Sequence, residues 1–189
     1  MKFIDWILLP FFAACLLISC GEAPQQSATT QTVVVQKADD EDDLLVSLAA
    51  DLVANPRTQA ERDNNAILNY LMDEGIAMQR TPSGFYYQII EPGAGDLIEW
   101  GDWLSVHYRG YTLDGKEVDS SYKKGKPLDF YVGNMVPGWN EGLQLLRPGS
   151  KAFFVLPSHL AYGEKGYPNV IPPHTVLAFE LEILSVEKR

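Results

Sequence analysis

The chain has 189 residues, 46% of them apolar and 21% charged, which suits one globular domain with some added parts. A formal net charge of −10, with Tyr122–Lys126 the densest basic stretch, argues against a nucleic-acid partner, because neutralising phosphates needs a basic face. The cysteines are Cys15 and Cys20 alone, and His107, His159 and His174 have no ligand spacing, so no disulfide, metal or cofactor is expected.

The first element reads as an address. One lysine, Lys2, precedes an apolar run from Ile7 to Ile18. That run is shorter than the roughly 20 residues of a bilayer span and fits the ~7–15-residue apolar core of an export signal. The sequence LISC, Leu17–Cys20, resembles the lipobox of bacterial lipoproteins. Ser19 is then the small residue, and Cys20 is acylated and becomes the mature N-terminus. Two acyl chains, at ~0.8 kcal/mol per buried methylene, meet the requirement for stable anchoring. Residues 1–19 are thus expected to be a lipoprotein signal peptide. The alternative is an uncleaved apolar anchor or an ordinary signal.

Residues 20–43 read as a flexible acidic tether, rich in Gln, Ser, Thr and Ala at first, with Val33–Val35 a possible short strand. Asp39–Asp43 lacks the spaced ligands, Gly and terminal Glu of a Ca²⁺ loop and is expected as a solvated acidic run before a helix N-terminus. Leu44–Val53 then forms a short helix that ends before Pro56. Thr58 and Glu61 make a capping box, Ile67, Leu68, Leu71 and Met72 recur at helical spacing, and Gly75 suits the C′ position. A helix from Thr58 to Glu74 follows, with an apolar stripe that must be buried. It is buried either on the domain that follows or in a homodimer contact. Residues 44–80 form an N-terminal helical segment on this reading.

Strands dominate the rest, 81–189. Residues 76–80 and 85–90 flank the turn Thr81–Gly84. Further strands are expected at Trp103–Leu113, Leu128–Val132, Lys151–Leu156 and Val176–Val186, and the Asp114–Gly115 step signals a hairpin. In the last strand Leu177, Phe179, Leu181, Ile183 and Leu184 oppose Glu180, Glu182 and Ser185, so one face is expected to be wet. Between Pro137–Gly138 and Pro148–Gly149 only a short helix fits, Trp139–Leu146. It is too short to stand alone in water, so the curled sheet must hold it. The fold class is therefore α+β: a bent antiparallel β-sheet, or half-barrel, wrapped around one short α-helix and preceded by an N-terminal helical segment.

Four stretches carry a resemblance. SVHYRGYTLDGKEVDSS (105–121), KPLDFYVGNMVPGWNEGL (126–143), LRPGSKAFFVLPSHLAYGEKG (146–166) and IPPHTVLAFELEIL (171–184) closely resemble, in order, the FKBP-type peptidyl-prolyl cis-trans isomerases. The resemblance implies an apolar cleft that receives a proline ring. It implies Tyr108 as a wall, Asp119 at the mouth, and the Val136 N–H as donor to a substrate carbonyl. Trp139 is then the floor, Tyr162 presents its hydroxyl to the substrate amide, and Ile171 and Phe179 form the far wall. Trp139 suits a floor because its rigid face offers much contact area with few rotamers to freeze. Val118 and Leu128 stand where the family usually has Phe, which reduces the apolar wall, and Lys124 stands where an Arg often pairs with the Asp. A lysine does not reproduce a bidentate Arg hold. The segment Gly133–Trp139 is also shorter than in the best-known eukaryotic members.

Together with the N-terminal part, the chain resembles exported FKBP-type lipoproteins, the gliding-motility-associated type among them. The implied activity is isomerisation of X–Pro bonds in exported polypeptide clients. The implied location is the cell envelope, as a lipid-anchored protein facing the periplasm or cell exterior. The alternative is a membrane-tethered chaperone or docking module that binds Pro-containing segments with little turnover. A hydrolase reading has little support, since no G-x-S-x-G exists and Ser158–His159 lack a third partner.

Overall fold

The computed structural model describes residues 35–37 and 39–189. The expected signal peptide, Cys20 and most of the expected tether lie outside the described residues, as do Val33 and Val34. Val35 is described and is not in a strand. Among the described residues no helix is long and apolar enough to cross a membrane.

Helix α1 (Glu41–Ala50) starts three residues earlier than its expected Leu44. Of the acidic run, Asp39 and Asp40 precede the helix, and the other three acids lie inside it. Asp40 caps the helix by accepting from the Asp43 N–H at 3.1 Å, and Glu41, Asp42 and Asp43 fill the first turn. Negative charge there faces the positive end of the helix dipole, which is why the helix extends into the acids. Helix α2 (Gln59–Glu74) matches its expectation closely: Thr58 and Glu61 form the reciprocal capping box, and Gly75 closes the helix with φ 66° and ψ 36°. Only a residue that tolerates left-handed backbone suits that closure.

Seven strands follow: β1 (Gln79–Arg80), β2 (Tyr86–Glu91), β3 (Trp103–Thr112), β4 (Glu117–Ser120), β5 (Leu128–Tyr131), β6 (Lys151–Leu156) and β7 (Leu177–Glu187). They form one antiparallel sheet in the order β1-β2-β6-β7-β3-β4. The free edge of β3 is shared: its first half pairs with β5 and its second half with β4. Helix α3 (Pro137–Gly142), extended by the 3₁₀ turn Leu143–Leu145, lies on one face. The helix therefore begins two residues before the expected Trp139. Pro137 belongs to its first turn, where a missing N–H costs nothing. Trp139 is consequently inside the helix, not at its start.

Each face of the sheet has its own core. On the α3 side Trp139, Leu143 and Leu146 pack with Phe154, Leu156, Leu177, Phe179 and Leu181. On the other side Ile67, Leu68 and Leu71 of α2 pack with Phe153, Val155 and Ala178. The alternating residues of β6 thus enter opposite cores, and Phe153 to Leu156 are all fully buried. The stripe on α2 is covered by the sheet of its own chain, so the helix face on which the homodimer expectation rests is occupied.

The wet face expected for β7 is wet only at its end. Ala178 and Glu180 are buried, whereas Leu184 is exposed. The pairing explains Leu184: Ser105 faces Ser185 but Val106 faces Ile183, so Leu184 is the extra residue of a bulge. The bulge resolves the Ile183–Leu184 doublet by turning one residue inward and one outward.

Candidate functional site

A shallow cleft opens where α3 meets the inner face of the sheet. It is lined by Tyr108, Val118, Asp119, Met135, Val136, Trp139, Tyr162, Ile171, Leu177 and Phe179. It encloses about 60 Å³ of free volume. Two larger grooves elsewhere, of about 520 and 480 Å³, lack this ring of aromatic walls.

Trp139 is the floor. Its indole is 1% exposed and meets two rings edge-on, Tyr108 at 5.3 Å and Phe179 at 5.4 Å, with interplanar angles of 86° and 85°. Phe130 adds a tilted contact at 5.9 Å. Edge-to-face packing of this kind suits the ring quadrupoles. The indole Nε1 is buried and makes no hydrogen bond among the described residues. Phe179 reaches the floor because its partner across the strands is Gly110. A β carbon at Gly110 would fall 2.7 Å from the Phe179 ring.

The polar groups cluster at the mouth. The Tyr108 hydroxyl donates to Asp119 Oδ2 at 2.6 Å. Lys124 Nζ lies 2.6 Å from Asp119 Oδ1 and 2.7 Å from Oδ2, and donates to the Tyr108 hydroxyl at 3.0 Å. Lys124 therefore reaches both carboxylate oxygens, although a lysine is expected not to reproduce a bidentate Arg hold. A compact ammonium placed between the two oxygens serves where a fork is absent. Burial raises the Asp119 carboxyl, but the hydrogen bonds from Lys124 and Tyr108 outweigh it and hold the group below its usual value. Burial and then the Asp119 bond push the Tyr108 hydroxyl up to about 12. Asp119 is thus a charged acceptor at neutral pH, and Tyr108 remains a donor.

Two further donors belong to residues that line the cleft, Val136 and Tyr162. Val136 caps α3 through its carbonyl, which accepts from the Trp139 and Asn140 N–H groups. Its own N–H makes no hydrogen bond among the described residues. The Tyr162 hydroxyl also has no hydrogen-bond partner among them, and its ring leans on Tyr167 at 5.6 Å. Burial raises its hydroxyl above the usual tyrosine value, so it is a neutral donor.

Of the cleft residues expected from sequence, all but Leu128 line it. Leu128 pairs with Val106, two residues before Tyr108 on β3, and packs against the core beside the cleft. Met135 and Leu177 join the expected set. Leu177 is within reach of sequence reasoning, since it alternates with Phe179 on β7; Met135 sits in an irregular loop with no periodicity to mark it. His107 faces away: its Nδ1 pairs with Ser121 Oγ at 3.0 Å and its ring stacks on Tyr122.

A family model described as FKBP-type peptidyl-prolyl cis-trans isomerase matches residues 95–184. FkpA of Escherichia coli (strain K12), an FKBP-type peptidyl-prolyl cis-trans isomerase, is 40% identical over 118 residues, or 62% of this chain and 43% of FkpA. The crystal structure of FkpA from Escherichia coli superposes with a TM-score of 0.61 at 34% identity, covering 75% of this chain and 63% of that one. The crystal structure of AtFKBP13 gives a TM-score of 0.55 at 33% identity, covering 58% of this chain and 98% of that one. The chain spans less than half the length of the FkpA relative.

Proposed function

The chain belongs to the FKBP-type peptidyl-prolyl cis-trans isomerases, and from that premise we propose that it accelerates isomerisation at X–Pro bonds of exported polypeptides. The observation that carries the reading is the Trp139-floored apolar cleft with two donors at its walls, the Val136 N–H and the Tyr162 hydroxyl, that have no hydrogen-bond partner among the described residues.

An X–Pro bond left to itself turns over in tens to hundreds of seconds, across a barrier of ~18–20 kcal/mol. No bond breaks, so no nucleophile is needed. The barrier is lost amide resonance, which in the planar state places negative charge on oxygen and positive charge on nitrogen. The twisted amide has less charge separation. A dry apolar cleft therefore disfavours the planar ground state more than the twisted one, which is catalysis by differential binding. Trp139, Tyr108, Ile171 and Phe179 hold the ring in this account, and the Val136 N–H and Tyr162 hydroxyl fix the flanking peptide. Asp119, held by Lys124, sets the mouth and keeps the Tyr108 ring against the floor.

The test is a protease-coupled prolyl-peptide assay. Turnover is expected for the wild type, with Tyr162→Phe lowering kcat/KM about tenfold, the worth of one neutral hydrogen bond. Asp119→Leu is expected to lower it at least as much, because Lys124 and Tyr108 then lose their acceptor. Wild-type protein that binds the peptide without speeding conversion would establish the chaperone or docking alternative instead. Unchanged rates in both variants would remove these roles.

The proposed setting is the cell envelope, through a lipid anchor on Cys20 facing the periplasm or cell exterior. What supports it is the lipobox-like Leu17–Cys20 and the absence of any cysteine in residues 21–189. Mass spectrometry of the mature protein is expected to find a diacylated N-terminal Cys20; an unmodified N-terminal peptide would refute the anchor.

A further inference from the structure

We propose that Asp63, on the N-terminal helix α2, is a positioning residue for the isomerase reaction, fixing the turn that aims Tyr162 into the cleft. The inference rests on the role given to Tyr162 above. Asp63 lies outside residues 95–184, which the family model matches. It is nonetheless 2% exposed, and its carboxyl group has three donors. Oδ2 accepts from the Ser158 N–H at 2.8 Å and the Ser158 hydroxyl at 2.6 Å. Oδ1 accepts from Gln59 Nε2 at 2.6 Å. A polar group so deeply buried is costly to leave incomplete, so these bonds set the local geometry firmly.

What they hold is the approach to Tyr162. Ser158 opens the 3₁₀ turn Ser158–Leu160, its carbonyl accepts from the Ala161 N–H at 3.0 Å, and Tyr162 is the next residue. On the far side the Gly163 carbonyl accepts from the His174 N–H at 2.8 Å. Between these two anchors the Tyr162 hydroxyl has no hydrogen bond among the described residues to fix its direction. Its aim is set by the backbone, and Asp63 holds one end of that backbone. The helix itself does not need Asp63 to stay docked, because Ile67, Leu68 and Leu71 are fully buried against the sheet. A misplaced donor loses most of its effect on a reacting substrate.

The experiment is a double-mutant cycle on the full-length chain, read by the prolyl-peptide assay beside a thermal melt. Asp63→Ala is expected to lower kcat/KM about tenfold, the same loss as Tyr162→Phe, since an effect exerted through Tyr162 cannot exceed the worth of its hydroxyl. The double variant is expected to be no slower than Tyr162→Phe alone. Asp63→Asn, which keeps one acceptor oxygen for Ser158, recovers part of the rate. Ser158→Ala deletes a single donor without disturbing the helix and gives a smaller loss of the same non-additive kind, which keeps the test open if Asp63→Ala folds poorly. Losses of equal size in the wild-type and Tyr162→Phe backgrounds, tracking the folded fraction, would overturn the inference. So would a wild-type rate in Asp63→Ala, while leaving the isomerase reading intact. A wild-type rate in Tyr162→Phe would overturn the inference together with the role of Tyr162.

Discussion

Trp139→Ala is expected to destabilise the protein by about 3–5 kcal/mol, the range for emptying a buried Trp site, and to abolish measurable turnover. The indole is the largest of the fully buried side chains, and the rings of Tyr108, Phe130 and Phe179 all rest on it. None of them can collapse into the gap without leaving its own strand. A domain with about 5–15 kcal/mol in total loses a large share of its margin. Trp139→Phe separates the floor from the fold. It retains an apolar ring and removes the buried, unpartnered Nε1, an uncompensated donor that costs about 1–3 kcal/mol where it stands. Its stability is therefore expected to fall much less than that of the alanine variant, while kcat/KM drops because the smaller ring leaves the floor open to water. Urea denaturation and the prolyl-peptide assay read the two effects. A Trp139→Phe enzyme with full turnover would show that the floor needs no indole.

Gly142→Val is the second large effect, a loss of about 3 kcal/mol with turnover falling alongside. The backbone at Gly142 is ordinary helix, φ −66° and ψ −35°, so conformational strain is not the cause. By propensity alone even alanine there would gain up to about 1 kcal/mol. Packing decides the sign: a β carbon would run into Cε2 of Phe154, a fully buried ring on β6, and stand 2.8 Å from its Cζ. Gly138, one turn earlier, meets Leu156 in the same way, at 2.7 Å. These two glycines let α3 lie directly on the sheet, and α3 holds Trp139. Pushing the helix away lifts the floor of the cleft. Gly142→Val that melts with the wild type would disprove this close approach.

Parts of the site are legible in the amino-acid sequence, and the reasons differ by residue. Trp139, Tyr108, Ile171 and Phe179 stand out through motif resemblance; as single aromatic or apolar residues they look like any core. Leu128 lies off the cleft because a motif position says which strand a residue occupies but not how far along the cleft it stands. Its pairing with Val106 settles that, and the pairing is a contact between segments more than 20 residues apart in sequence. Lys124 departs from expectation for a related reason. The weakness of lysine as a fork is real, but the ammonium sits between both oxygens of Asp119.

Helix α2 is written locally, since a capping box, an apolar stripe and a closing glycine all fall within the segment itself. The set of strands and the short helix between two Pro–Gly steps are written in the same way. Four features are not: which surface the α2 stripe covers, the burial of β6 on both faces, the place of the β7 bulge, and the grip of Asp63 on a turn 95 residues away. These emerge when the segments pack together. The physical reason is range. Periodicity and capping act within a few residues of one another, whereas a buried acceptor or a bulge is chosen by whichever distant segment arrives to satisfy it.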